Sequence, residues 1–210
     1  MKYTVNPISK TIILGLAVMA LSCLNAEEKQ APQRKPNILI ILSDDQRYDA
    51  FGVIQAEQGE RARFPWLKTP NLDRLANSGL RFRNNFVVHS LCSPSRANML
   101  TGSYSHITKV KDNKTELPEG NITLGDMMRE AGYTTGYFGK WHMGAQITRP
   151  GFDQWASQVS HGYYNDCTIN VNGKNTSTKG WTDDVITDYA IKFIHEQKSA
   201  GKPFLSLIHI

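Results

Sequence analysis

The chain has 210 residues, 40% apolar and 20% charged, with 24 lysines and arginines against 19 acidic residues. That length and balance suit one α/β domain with a full core and exclude a disordered chain. The positive charge forms no run, and no basic–aromatic stripe or zinc spacing accompanies it, so nucleic acid is not an expected partner.

The first 26 residues read as an export signal. Lys2 and Lys10 give a positive start, Thr11 to Leu21 is apolar, and small residues follow. The apolar run is too short for a comfortable membrane span. One cleavage point lies after Ala26. Another lies before Cys23, where Ala20-Leu21-Ser22-Cys23 loosely resembles a bacterial lipoprotein box; the signal then ends at 22 and Cys23 carries a lipid anchor. Either way the protein is expected outside the cytoplasm: periplasmic or outer-membrane-anchored in a bacterium, otherwise secreted. Setting residues 1–26 aside removes two lysines and no acid, so the net charge falls by two, from +5 to +3. Residues 27–35 are a polar linker, and 36–210 are the folded part.

Asn37 to Leu42 is a continuous aliphatic run, predicting a strand buried on both faces. It ends in Ser43-Asp44-Asp45. Thr69-Pro70 opens a helix with Leu72, Leu75 and Ala76 on one face, closed by Gly79. Leu80 to Val88 reads as an extended stretch returning to the sheet. Ser93-Pro94 starts a helix that Gly102 stops, and Thr123 to Ala131 is a third helix ended by Gly132. Tyr133 to Gly139 is a strand running into Lys140-Trp141-His142. Thr182 caps a fourth helix with Val185, Ile186, Tyr189, Phe193 and Ile194 as its apolar face, and Phe204 to Ile210 is a last buried strand. The alternation predicts an α/β sandwich with a largely parallel sheet. Ligands in such sheets sit beyond the carboxyl ends of strands, which places Asp44-Asp45 and Lys140-Trp141-His142 on one rim.

Three sets of residues carry chemistry. Asp44 and Asp45 repel each other unless something positive neutralises them, and a hard cation does this well; a helix cap or a solvated turn is the plainer alternative. Gln46 is a further oxygen donor. Cys92 stands at a helix start, where free N–H groups favour an anion. Arg96 follows one turn later with a guanidinium suited to the same anion. Taken alone, Cys92 to Arg96 is an anion site containing a thiol, for which a low-pKa nucleophile is the first reading and a Cys92–Cys167 disulfide the alternative. Lys140 and His142 flank Trp141; by themselves they are a strand-end charge and a structural histidine. His89, His106 and Ser160-His161 are weaker candidates.

Cys92-Ser-Pro-Ser-Arg96 followed by Ala97-Asn-Met-Leu-Thr-Gly102 resembles the signature of the type I, formylglycine-dependent sulfatases of the alkaline-phosphatase-like superfamily. Pro36 to Asp45 is similar to that family's first strand and metal pair, Thr69 to Ala76 to its first helix, and Gly132 to His142 to its lysine–histidine strand. The resemblance implies a sulfuric ester hydrolase. Cys92 would be oxidised to formylglycine by a formylglycine-generating or sulfatase-maturating enzyme. Calcium would be held by Asp44 and Asp45 and would contact the hydrated aldehyde at position 92. One hydroxyl of that hydrate would attack sulfur, and the other would expel sulfate. Arg96 and Lys140 would neutralise the transferring group, and His142 would be the base.

Arg149 to Trp155, Tyr163-Tyr164 and Asn170 to Gly173 are most similar to enzymes acting on sulfated amino sugars or glycosaminoglycans, implying a sulfated carbohydrate as substrate. Two other functions compete. Formylglycine-dependent phosphonate monoester hydrolases and phosphodiesterases share the signature, and an exported glycan-binding protein could keep the fold without turnover. The family's second metal pair, second lysine and leaving-group acid have no match in the sequence. The sheet is thus expected to be incomplete at the C-terminus, and residues 1–210 alone are expected to lack useful activity.

Overall fold

The computed structural model describes residues 34–144 and 147–209. The export signal, both cleavage points, Cys23 and most of the linker lie outside the described residues.

The elements in chain order are β1 (Ile38–Leu42), α1 (Gly52–Gln58), α2 (Pro70–Ser78), α3 (Cys92–Thr101), the single turn α4 (Ser105–Thr108), α5 (Leu124–Glu130), β2 (Thr134–Lys140), β3 (Gln154–Gln158), β4 (Thr168–Val171), β5 (Lys174–Ser177), α6 (Thr182–Ser199) and β6 (Phe204–His209). One sheet runs in the order β1-β6-β2-β3-β4-β5. The first four are parallel, and β4 and β5 add an antiparallel hairpin. The expected largely parallel α/β sheet is therefore present.

Period-two alternation divides the core between the two faces of the sheet. Tyr137, Leu205 and Leu207 join Ala97 and Leu100 of α3 on one face. Phe138, Phe204 and Ile208 join Ile186, Ala190 and Phe193 of α6 on the other. α5 starts with Thr123 and Asp126 satisfying each other's backbone N–H groups in a capping box, and α3 stops at the left-handed Gly102.

Four expectations differ from the structure. β1 is not buried on both faces: Ile38 and Ile40 pack on the first core cluster, while Leu39 and Ile41 are 51% and 58% exposed. Among the described residues β1 lies at one end of the strand order, and α6 packs over β2, β3 and β6. Among the described residues Leu80–Val88 pairs with no strand, and Leu80, Phe82 and Phe86 are exposed. α2 has the expected bounds, but Leu72 and Leu75 are exposed; it is held instead by polar bonds to α1, with Asp73 accepting from the Val53 N–H at 2.8 Å and Thr69 from the Gly52 N–H at 2.7 Å. Thr182 is the first residue of α6 and Trp181 its cap.

Gly139 is the tightest point of the sheet. Its φ is +109°, and a Cβ there would lie 1.8 Å from the carbonyl oxygen of His209. Gly120 also has a positive φ, +85°, but open space around it. Gly139→Ala is expected to destabilise the chain by about 3 kcal/mol or more, adding backbone collision to conformational strain, and Gly120→Ala by about 1 kcal/mol from strain alone. Urea unfolding midpoints of the two variants check the difference.

Candidate active site

Four side chains from three parts of the fold meet where β1 and β2 end. Asp44 follows β1, Lys140 is the last residue of β2, and Cys92 and Arg96 come from the first turns of α3. The Asp44 carboxylate binds both cations: Lys140 Nζ donates to Oδ2 at 2.7 Å and Arg96 NH2 to Oδ1 at 3.0 Å. Lys140 Nζ also lies 3.9 Å from Cys92 Sγ. Arg96 is only 2% exposed.

The placement of each group has a local cause. Trp141 is buried in the core edge-to-face against Tyr137, ring centroids 5.1 Å apart. The Tyr137 hydroxyl donates to the Lys140 carbonyl at 2.6 Å. These contacts pin the end of β2, so Lys140 reaches over the sheet edge and His142 turns back with φ +50°. Asp45 turns the chain after β1 with φ +51°. At the start of α3 the Ser93 N–H donates to Asn113 Oδ1 at 3.0 Å, and the Ser93 hydroxyl donates to the His142 carbonyl. One of the helix-start N–H groups expected to face an anion is thus already used within the protein.

Electrostatics follow from burial and charge. Burial alone would raise the Asp44 carboxyl, but the Lys140 hydrogen bond and the charges of Arg96 and Lys140 outweigh it and hold the group below its ordinary value. His142 is pushed down to about 4 by burial, then by His161, Lys140 and Arg96. Its ring stands 3.9 Å from that of His161. At neutral pH it is an uncharged imidazole able to accept a proton. Among the described residues, Nε of Arg96 and Nδ1 of His142 are buried without hydrogen-bond partners.

A cavity of about 400 Å³ opens over this point, with Asp44, Asp45, Lys140, His161 and His209 among its lining residues. The structure thus brings Asp44, Cys92, Arg96 and Lys140 into contact, sets His142 beside them through Ser93, and puts Asp45 on the rim. Gln46 donates through its amide nitrogen to the Ala50 carbonyl at 3.0 Å. His89 binds Ser105 and His106 stacks on Tyr104; neither lines this cavity. Cys92 and Cys167 are both free, so the disulfide alternative fails.

Two contributors were not legible beforehand. Asn113 holds the start of α3 through its side-chain oxygen. His209 ends β6 with Nδ1 3.4 Å from Arg96 NH2, and burial and the Arg96 charge push it down to about 3. No local spacing links either residue to Cys92.

As a calcium site the residues fit in kind and fall short in number. Asp44 and Asp45 are hard oxygen donors on one cavity wall, yet calcium takes roughly six to eight oxygen ligands. No group of three or more His, Cys, Asp or Glu side chains suited to a metal occurs among the described residues.

The Sulfatase family model matches residues 36–210. The N-acetylglucosamine-6-O-sulfatase of Bacteroides thetaiotaomicron is 36% identical over 209 residues, covering 97% of this chain and 35% of that protein. The ulvan-active sulfatase of Formosa agariphila is 32% identical over 220 residues, covering 96% and 40%. A solved structure of a protein in complex with its substrate, D-glucosamine-2-N,6-O-disulfate, superposes with a TM-score of 0.73 at 36% identity, over 83% of this chain and 34% of that one. The chain belongs to the sulfatase family, with its alkaline-phosphatase-like fold, and spans little more than a third of the length of these relatives.

The depressed His142 imidazole has a stability consequence. In the unfolded chain it takes up its proton near the ordinary 6.5, in the fold only near 4. Between these values the unfolded state binds more protons, so stability is full above pH 6.5 and falls as pH drops toward 4. His142→Gln is expected to flatten that slope in urea titrations across the window; an unchanged slope would mean that His142 is protonated in the fold.

Proposed function

We propose that the protein is a sulfuric ester hydrolase that removes sulfate from a sulfated carbohydrate of the amino-sugar or glycosaminoglycan type. The observation that carries this is Cys92 set against Lys140 and one turn before Arg96, with both cations held by a single carboxylate. The relatives named above are sulfatases, which favours sulfate over phosphodiester chemistry.

In this reading Cys92 is converted to formylglycine by a formylglycine-generating or sulfatase-maturating enzyme, and the aldehyde, as its hydrate, supplies two hydroxyls on one carbon. Asp44, Asp45 and the group at position 92 would hold calcium in part, and the ion would supply Lewis-acid polarisation when bound. The chain's own residues do the rest. Arg96 and Lys140 bind the sulfate oxygens and offset negative charge as it builds in the transition state. Without a metal, Asp44 bonds to both cations and gathers them beside the start of α3. His142, uncharged at neutral pH, takes up the proton released near residue 92. Export through the amino-terminal signal, with or without a lipid anchor at Cys23, places the enzyme where sulfated polysaccharides occur.

Mass spectrometry of the tryptic peptide Asn84–Arg96, from a host that carries a maturation enzyme, is expected to show the aldehyde or its hydrate at residue 92. A free thiol there would sink the mechanism. In the full-length polypeptide, Arg96→Lys is expected to lower kcat for sulfate release about 100-fold, because a point charge does not replace a planar fork. A loss under three-fold in steady-state assays would remove Arg96 from the transition state.

A further inference from the structure

The outer wall of the 400 Å³ cavity differs in kind from its inner wall. Lys140 and Asp44 lie inside. Tyr163 and Tyr164 lie outside, 78% and 74% exposed. Large aromatic rings held in water beside a polar cavity mark a binding surface. These rings do not dangle. Trp181 stacks on Tyr164 with centroids 5.6 Å apart and planes 16° from parallel. The two backbones are clamped together: the Thr182 N–H donates to the Tyr164 carbonyl at 2.7 Å and the Thr182 hydroxyl to the Tyr163 carbonyl at 2.5 Å. Asn165 pairs with Trp181 in an antiparallel bridge, and the Gly180 N–H donates to Asp166 at 2.8 Å. The Tyr164 ring is therefore pre-positioned, with the Tyr163 backbone fixed beside it, which lowers the ordering cost of a ligand that uses the surface.

We propose that Tyr164, backed by Trp181 and flanked by Tyr163, is a stacking platform for the pyranose ring of the sulfated carbohydrate, with Asp183, Gln158 and His161 taking its hydroxyls. The assignment rests on the sulfatase reading for its substrate class. A pyranose presents C–H bonds on its faces and polar groups around its edge. An aromatic plane bordered by a carboxylate, an amide and an imidazole matches both. A purely apolar ligand would leave those polar groups desolvated and unpaired. The volume falls in the range of small-ligand cavities, and the inner cations offer a place for the sulfate while the ring lies outside.

The test combines binding and turnover. Binding of the desulfated saccharide N-acetylglucosamine to the full-length polypeptide is followed by saturation-transfer NMR, and sulfate release is measured from 6-O-sulfated glucosamine and from a short alkyl sulfate that has no ring to stack. Tyr164→Ala is expected to abolish transfer to the sugar C–H protons and to raise KM for the sulfated sugar about ten-fold, with alkyl sulfate hydrolysis changed less than two-fold; Tyr164→Phe restores sugar binding and KM. Equal losses on both esters would overturn the platform in favour of a structural role, as would unchanged binding and KM in Tyr164→Ala. A wild-type protein that binds the sugar through Tyr164 and releases no sulfate would keep the platform and overturn the hydrolase reading instead.

Discussion

One carboxylate organises the site. Arg96 and Lys140 would repel each other and turn outward if nothing lay between them. Asp44 bonds to both, with one oxygen each. Arg96 is buried, and an unpaired guanidinium there would carry a large desolvation cost. The triad ties three separate parts of the fold together: the end of β1, the first turns of α3 and the end of β2. Cys92 shares that helical turn and so comes within 3.9 Å of the lysine.

The triad also explains what lies beneath it. β1 and β2 are not neighbours; β6 runs between them. Their side chains must meet above the carboxyl end of β6, where His209 stands. A bulky cation at that position would compete with Arg96. An imidazole kept uncharged by burial and by Arg96 itself can instead face the guanidinium without repulsion. Gly139 completes the arrangement, since only a residue without Cβ can pass the His209 carbonyl so closely.

Much of this was legible in the sequence, where local rules act alone. β1 and β6 announce themselves as apolar runs, whereas the parallel β3, Gln154–Gln158, does not and was not expected; the polar groups Asp44 and Lys140 fall on one rim because parallel strands end on the same side. Cys92 and Arg96 share a helix face by spacing. What failed depended on the far side of a contact. The Ile38–Leu42 run reads as doubly buried, but whether Leu39 and Ile41 are covered depends on which helix lies over the strand. The β4–β5 hairpin, by contrast, was there to be read. Asn172-Gly173 is a two-residue turn with both φ values positive, 49° and 91°, joining Val171 to its partner Lys174, and that dipeptide is a strong hairpin signal. Asn113 and His209 reach the site only through tertiary packing, so no window of sequence holds them together with Cys92.

The charge at the rim constrains the chemistry further. Arg96 and Lys140 bring two positive charges; Asp44 and Asp45 bring two carboxylates. Taken together, these four groups offer an incoming sulfate ester little net attraction, and Asp44 already occupies a donor of each cation. Asp44 and Asp45 would hold a hard divalent cation in part, and its two positive charges would tip that balance toward an anion. The same pairing of Asp44 with its cations keeps the carboxylate ionised in a half-buried place, and an ionised carboxylate is the form a metal requires. The ion triad thus does two things at once: it keeps a carboxylate in the form a hard cation needs, and it holds two cations at the rim where a sulfate ester would meet them.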